Sequence, residues 1–183
     1  SKCLRQVLQL SLLTGKPVTI RDIRPDSTEP GLSKSEIGLI RLIELLSNGT
    51  KVKINVTGTQ VKFMPGIVHN GDGMDLEFDC PSERCVSYYL ETIVPVCIFG
   101  KVPLTITLRG VTNNDIDPSV DTVKEVLLGY LAKVGVEGAS LKIVKRGLKE
   151  DPNGEIILFL PNIKEISSID FIDPGKIKRI RGV

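Results

Sequence analysis

The apolar residues of this chain follow one pattern that occurs twice. A helical spacing of apolar side chains comes first in each copy, over residues 2–13 and again over 83–99, where Pro95 is expected to bend the last turns. Gly-Lys, a proline and an apolar alternation ending in arginine follow each helix, in "TGKPVTIRDIR" (14–24) and "FGKVPLTITLRG" (99–110). The alternation is typical of a strand, and its recurrence predicts an internal repeat.

A long loop and an amphipathic helix come next in each copy. The first helix begins at Ser33, which is predicted to form a capping box with Glu36. The second begins after Asp117, the predicted N-cap, with Pro118 at the first helical position, and it stops at Gly135. Its predicted inward face consists of Val120, Val123, Val126, Leu127, Tyr130 and Leu131.

Two strands and a third, shorter one follow each of these helices. "KVKINV" and "TQVKF" meet at a turn in the first copy, and "SLKIVK" and "EIILFL" flank a turn at Asn153-Gly154 in the second. "MDLEF" and "SSIDFI" are predicted to close the two copies. The predicted fold is therefore α+β, built from repeated helix-strand-helix-three-strand units. Two units are present, over residues 1–82 and 83–183.

Composition and charge narrow the class of protein. The chain is 41% hydrophobic and 25% charged, and no apolar run approaches the roughly 20 residues that cross a bilayer, so no membrane partner is expected. Residues 1–24 carry five basic side chains and one acidic, residues 142–183 carry nine and six, and residues 72–91 carry one and six. The net charges are thus +4, +3 and −5, which suits the two ends of the sequence to a polyanion.

Candidate catalytic and metal-binding residues are few. "CPSERC" has no second cysteine pair to complete a zinc site, and Cys97 lies in an apolar stretch, so reduced, buried thiols are predicted. His69, the one histidine, lies between glycines in a loop with no catalytic partner in the pattern. Nucleotide-binding loops and hydrolase or metalloprotease motifs are absent from the sequence. We therefore assign no catalytic residue, metal ligand or cofactor.

Five segments in register resemble a known family. They are "LSLLTGKPVTIRDIR", "EPGLSKSE", "GTQVKFMPGIVHNGD", "LRGVTNNDIDPSVD" and "KRGLKEDPNGE", and they span essentially the whole chain. In this order they resemble the RNA 3′-terminal phosphate cyclase family. The resemblance implies a large domain of three repeated α+β units with a small inserted domain. It also implies that the third unit and the insert lie outside these 183 residues.

The chain departs from active cyclases at the motifs that serve catalysis. The resemblance implies a Gln-His pair after "PGL", where this sequence has Ser35 and Glu36, and a triple glycine where "DPNGE" keeps only Gly154. Pro152 lacks an N–H, which disfavours a backbone cradle for phosphate there. The N-terminal "GGGQ" of the enzymes has no clean counterpart, and their adenylated histidine belongs to a later segment.

These departures resemble the non-cyclase eukaryotic branch of the family. Membership implies a catalytically inert ribosome biogenesis factor of the nucleus and nucleolus, acting in the small-subunit processome, in early pre-rRNA cleavage and in small-subunit rRNA maturation. It implies a large nucleolar GTPase, pre-rRNA and processome proteins as partners. Two alternatives stay open: a pre-rRNA endonuclease, for which Asp115, Asp117 and Asp121 form the best acidic cluster, and an active cyclase with relaxed motifs.

RNA contact is predicted through charge, because aromatic residues make up only 4% of the chain and platforms for base stacking need them exposed. The basic side chains near both ends of the sequence are the candidates: Arg5, Arg21, Arg24, Lys176, Lys178, Arg179 and Arg181. Solvation or pairing with acidic residues is the competing explanation for them. "DPGKIKRIRGV" is predicted to be an ordered segment leading out of the second unit rather than a loose tail.

Overall fold

The computed structural model describes residues 3–170 together with residues 172, 176, 178 and 179. It confirms the predicted α+β class. The first part of the chain contains two helices, α1 and α2, and five strands, β1 to β5. Their bounds are α1 Leu4–Thr14, β1 Val18–Ile20, α2 Lys34–Leu46, β2 Ser47–Asn48, β3 Lys51–Ile54, β4 Val61–Met64 and β5 Ile67–Val68.

The second part adds four strands and two longer helical segments, after a short 3₁₀ turn over Asn70–Gly73. The last helical segment, called α4 here, starts as an α-helix at Val120–Thr122, continues as a π-helix over Val123–Leu127 and ends as an α-helix at Leu128–Lys133. The other bounds are β6 Leu76–Asp79, α3 Val86–Cys97, β7 Leu104–Gly110, β8 Ser140–Lys145 and β9 Gly154–Leu160.

Strand order shows the repeat. The first sheet has the order β1-β4-β3 and the larger sheet the order β6-β7-β9-β8, so β1, β4 and β3 occupy the places of β7, β9 and β8. β6 runs parallel to β7, and the other pairs in both sheets are antiparallel. β2 and β5 form a separate two-stranded ribbon. The repeated unit is therefore two helices over a sheet whose last two strands form a hairpin.

The prediction that "MDLEF" closes the first copy is wrong. This segment is β6, whose residues pair with β7 from Leu76↔Ile106 to Asp79↔Arg109. Parallel pairing needs a crossover connection, which α3 provides, and such a partner cannot be inferred from the segment's own pattern. The division of the chain between residues 82 and 83 into two domains stays a prediction. The strand predicted at "SSIDFI" is also wrong for its described residues, since 167–170 and 172 have no strand structure.

Helix α4 corrects two further predictions. Its N-cap is Ser119, whose hydroxyl accepts a hydrogen bond from the Thr122 amide, and not Asp117. The π-helical turn accommodates an extra residue and so rotates the following turns relative to a regular helix. Val120 and Val123 are buried as predicted, but Val126 is 48% and Tyr130 53% exposed. Leu128 is buried in their place.

One continuous hydrophobic core joins the two parts of the chain. Helix α1 packs against α3, and α2 contacts α3 as well, so the helices lie together. One face of each sheet points away from the helices. Leu4 and Leu8 from α1, Leu39 from α2 and Leu90 from α3 are all buried in this core. Pro95 lies inside α3, as predicted, and the helix continues past it to Cys97.

Candidate functional site at the amino ends of the central helices

The "EPGLSKSE" motif is a close packing contact before helix α2. Gly31 has φ +87°, and a Cβ atom there would lie 2.3 Å from the Thr57 carbonyl oxygen. The Leu32 amide donates to the Gly58 carbonyl at 3.0 Å, and this hydrogen bond holds the motif against the turn between β3 and β4. The glycine is therefore required by backbone approach and by its left-handed conformation.

The amino end of α2 is occupied by the protein's own carboxylates. Ser33 and Glu36 form the predicted capping box, and Arg24 donates to both carboxylate oxygens of Glu36. Burial opposes ionisation of Glu36, but the hydrogen bonds from Arg24 and from the Ser33 amide hold its pKa below the usual value. The Ser35 amide and hydroxyl donate to Glu83 Oε2 at 3.1 and 2.7 Å. Two acidic side chains thus lie where a helix would receive an anion.

The amino end of α3 has the same arrangement. Asp117, whose side chain is only 3% exposed, accepts from the Cys85 amide at 2.9 Å and from Arg84, which reaches both of its oxygens. Asn114 Nδ2 donates to it at 3.3 Å. Burial works against the charge of Asp117, but the hydrogen bonds from Arg84, Cys85 and Asn114 together lower its pKa.

Tyr88 connects the amino end of α3 with α1. The guanidinium groups of Arg84 and Arg5 lie 4.4 and 4.6 Å from the centre of its ring, which is the geometry of cation–π contacts. Arg5 also forms an ion pair with Glu91 at 2.6 Å. We call the group Arg5, Arg24, Glu36, Glu83, Arg84, Tyr88, Glu91 and Asp117 the polar cluster. Its arginines are directed to carboxylates of the same chain.

Two clefts open beside the polar cluster, where β6 and β7 end. Open sheets commonly bind ligands at the carboxyl ends of parallel strands. One cleft, of about 400 Å³, includes Arg109, which contacts Glu77 at 2.9 Å, Glu155 at 3.0 Å and Asp79 at 3.8 Å. The other, of about 260 Å³, is lined by three carboxylates and one ammonium, Glu83, Asp115, Glu150 and Lys149, a net charge of −2. Neither cleft is suited to phosphate.

Three glycines fix the wall between the clefts. A Cβ atom on Gly154 would lie 2.4 Å from the Gly110 carbonyl oxygen, and one on Gly147 would lie 2.3 Å from the Gly154 nitrogen. Thr112 completes the contact, since its amide donates to the Gly147 carbonyl at 2.8 Å. These residues belong to "LRGVTNNDID" and "KRGLKEDPNGE", so both motifs meet here. Gly154, the glycine kept in "DPNGE", serves close backbone packing.

The predicted RNA-contact residues fall into separate groups. Arg5 and Arg24 belong to the polar cluster, and their guanidinium groups are held by Glu91 and Glu36. Arg21 is exposed, directly after β1. Lys176, Lys178 and Arg179 are exposed, whereas Arg181 lies outside the described residues. Whether any of these residues contacts RNA stays a prediction.

The acidic trio of the endonuclease alternative is not a free cluster. Asp117 is bound by Arg84, and Asp121 receives two hydrogen bonds from Arg146, at 2.6 and 2.9 Å. Asp115 is exposed in the smaller cleft. Within residues 3–170 and the four described positions beyond them, no group of three or more histidine, cysteine or acidic side chains is placed to hold a metal ion. The endonuclease alternative stays a hypothesis.

The cysteines and the histidine have ordinary surroundings. Cys80, Cys85 and Cys97 are buried free thiols, and burial raises the pKa of Cys97 to about 12, so it stays protonated. His69 contacts Asp72 on the surface of a turn. No helix among the described residues is long and apolar enough to cross a membrane.

The acidic and basic residues inside "CPSERC" were not predicted as site residues. Glu83 and Arg84 were passed over because the segment was interpreted only by its cysteine spacing. A signal was present, since charged residues immediately before a predicted helix commonly interact with its amino end. Their partners, Ser35 and Asp117, are 48 and 33 residues away and could not be inferred locally.

The two matching sheets around one core define the class, an α+β protein made of duplicated units. Comparison with protein-family models then identifies the family. Residues 1–174 match the model described as RNA 3′-terminal phosphate cyclase, and the chain belongs to that family.

Individual relatives agree with this assignment. The chain is 45% identical to the RNA 3′-terminal phosphate cyclase-like protein of Bos taurus, over 98% of this chain and 48% of the relative. It is 45% identical to the probable RNA 3′-terminal phosphate cyclase-like protein of Drosophila melanogaster, over 100% of this chain and 47% of the relative. It is 36% identical to the rRNA processing protein rcl1 of Schizosaccharomyces pombe, over 96% of this chain and 48% of the relative. The chain spans about half the length of these relatives, and their names are consistent with the non-cyclase branch.

Proposed function

We propose that this protein is a catalytically inert member of the cyclase family that acts in rRNA processing. In this proposal it is a component of the small-subunit processome, required for early pre-rRNA cleavage and for maturation of the small-subunit rRNA. Support comes from the Schizosaccharomyces pombe relative, whose name is rRNA processing protein, and from the cyclase-like names of the others.

One observation carries the proposed loss of cyclase chemistry. The amino ends of α2 and α3, which would be the natural phosphate sites, are filled by Glu36, Glu83 and Asp117. A nucleotide or terminal phosphate approaching these ends would meet carboxylates that already accept hydrogen bonds from the Ser33, Ser35 and Cys85 amides. Like charges in a shared site repel, so phosphate binding there is disfavoured.

The partners in the proposal are a large nucleolar GTPase, pre-rRNA and other processome proteins, and the proposed location is the nucleus and its nucleolus. A protein that acts in rRNA processing needs access to pre-rRNA, and this supports the location. The surface that would bind the GTPase is not assigned, because the relatives contain as much chain again as is described here.

A cyclase assay tests the absence of catalysis. The complete protein is incubated with RNA bearing a 3′-phosphate and with labelled ATP or GTP, beside an active cyclase of the same family as the positive control. We expect no cyclic phosphate and no nucleotide attached to the protein. Either product, in amounts that depend on protein concentration, contradicts the proposal and supports the active-cyclase alternative.

A depletion experiment tests the role in rRNA processing. Cells depleted of the protein should accumulate precursors that are uncut at the early sites and should lose mature small-subunit rRNA, while large-subunit rRNA is preserved. Hybridisation blots of total RNA measure both species, and re-expression of the wild-type protein serves as the control. An unchanged precursor pattern after complete depletion would overturn the proposal.

A further inference from the structure

The outer face of the first sheet carries a row of lysines. In β4, Val61 and Phe63 are buried while Lys62 is exposed, so Lys62 points away from the helices. Its partner in register on β3 is Lys53, and on β1 it is Thr19. Lys51 lies opposite Met64, two residues further along and on the same face. We call Lys51, Lys53 and Lys62 the lysine face.

This face contains no compensating acid. The residues of β1, β3 and β4 include three lysines and no aspartate or glutamate. None of the three lysines forms an ion pair with a described residue. The equivalent face of the four-stranded sheet is different, because its cations, Arg109, Lys142 and Lys145, share it with the acidic residues Glu77, Asp79 and Glu155. The two copies of one unit therefore present outer faces of different charge.

The pairing of Lys53 with Lys62 is unfavourable for the isolated sheet. Like charges directly opposite one another on an antiparallel pair destabilise it. The sheet gains nothing from this arrangement within the described structure. A bound polyanion would attract both lysines and offset their repulsion. The arrangement is therefore typical of a surface that binds a negatively charged partner.

The chemistry of the face favours phosphate over bases or a protein partner. Phe63 is buried beneath it, and the face offers no aromatic ring for base stacking. Met64, 39% exposed, is its one sizeable apolar side chain, so it lacks the apolar or aromatic centre of a protein interface. Lysines on neighbouring strands lie about 4.8 Å apart and those two residues apart on one strand about 6.7 Å, a short array of point charges.

We propose that the lysine face, Lys51, Lys53 and Lys62, binds the phosphate backbone of RNA, with exposed Arg21 extending it beyond the end of β1. The inference rests on the proposed function, which supplies pre-rRNA as the RNA. It differs from the sequence-based prediction except at Arg21, since Arg5 and Arg24 are engaged by carboxylates and the lysine face is not. Recognition through phosphates implies little sequence preference and strong salt dependence.

A charge-reversal variant with a matched control tests the proposal. The test variant is Lys51→Glu/Lys53→Glu/Lys62→Glu. The control, Lys142→Glu/Lys145→Glu/Lys149→Glu, has the same change in net charge on exposed residues of the second unit. Binding of fluorescent single-stranded RNA is measured by anisotropy at several salt concentrations, and circular dichroism establishes that each variant is folded. Poly-glutamate is a second probe.

We expect the test variant to bind RNA about tenfold more weakly or worse, with the slope of log affinity against log salt reduced by about 2, as three lost phosphate contacts predict. The control should stay within about twofold of the wild type. Equal losses in both variants would mean that net charge alone decides binding, and unchanged binding in the test variant would remove the face from RNA contact. Either result overturns the proposal. So does a test variant that keeps RNA affinity but loses poly-glutamate, which would indicate an acidic protein partner.

Complementation separates this inference from the proposed function. If wild-type protein fails to correct any rRNA defect after depletion, the proposed function is wrong whatever the lysine face binds. If the wild type and the test variant both restore processing fully, the proposed function stands and the lysine face is not its RNA contact. Restoration by the wild type and by the control, but not by the test variant, is the expected result.

Discussion

Replacement of Asp117 by asparagine isolates the charge that holds the amino end of α3. Asparagine keeps the size of the side chain but presents an NH₂ group to donors, so the paired oxygens facing Arg84 and the Cys85 amide cannot both be satisfied. A hydrogen bond to a charged group contributes roughly 1.5–3 kcal/mol. Arg84 remains 31% exposed and can be partly rehydrated, so we expect a loss of about 2 kcal/mol from the free energy of unfolding.

Thermal unfolding followed by far-ultraviolet circular dichroism measures this loss. For a chain of this size, about 2 kcal/mol corresponds to a decrease in Tm of about 4–8 °C. Asp115→Asn is the matched control, because Asp115 is exposed two residues away and forms no ion pair with the described residues. Its change should stay within about 0.5 kcal/mol, as is usual for surface substitutions.

The pH dependence gives an independent readout. The pKa of Asp117 is lower in the folded protein than in the unfolded chain, where it is about 3.9. Its stabilisation is therefore complete above the unfolded pKa and is lost as the pH falls through the folded pKa. The difference between wild type and Asp117→Asn should be constant from pH 6 to 8 and should shrink below pH 4. A difference that grows on acidification, or equal Tm losses for Asp115→Asn and Asp117→Asn, would refute the assigned role.

Four further substitutions have definite expected outcomes. Gly154→Ala should lower the free energy of unfolding by about 1–3 kcal/mol in urea titrations, because its Cβ meets backbone, whereas Gly129→Ala, with open space around it in α4, should raise it by about 0.5–1 kcal/mol. Lys53→Glu should stabilise the fold by about 0.2–1 kcal/mol in low salt while weakening RNA binding. A variant that loses stability as well as RNA affinity would count against the lysine face. Glu36→Gln releases Arg24, so the variant should be less stable than the wild type at neutral pH. Because the pKa of Glu36 is lower in the folded protein than in the unfolded chain, where it is about 4.3, this difference should diminish as the pH falls below about 4.

Features with local signals could be predicted from the sequence. Helix α2 was placed correctly because Ser33 and Glu36 signal its start and the apolar spacing that follows is regular. The β3–β4 hairpin was placed by its turn at Thr57-Gly58, and Gly58 does adopt a positive φ of 69°. In each case the residues that determine the structure lie within a few positions of one another.

Features set by distant contacts could not be predicted. Asp117 has the residue type and position of an N-cap for α4. Its carboxylate instead accepts hydrogen bonds from Arg84 and the Cys85 amide at the amino end of α3. The π-helical turn in α4 leaves no mark in the apolar pattern, so Val126 and Tyr130 were assigned to the wrong face. The lysine face was missed for a related reason, since Lys53 and Lys62 become neighbours only once β3 and β4 are in register.

The contrast between the two copies links these observations to function. In the second copy, carboxylates surround Arg109 and line both clefts where parallel strands end, and in both copies they fill the amino ends of the helices. These carboxylates occupy positions at which a helix end or a cleft could otherwise receive an anion. In the first copy the outer face keeps three lysines with no acidic residue in its strands. The proposed absence of a phosphate site at the helix ends and the proposed RNA binding on a sheet face are thus compatible, because they concern different surfaces of the same repeated unit.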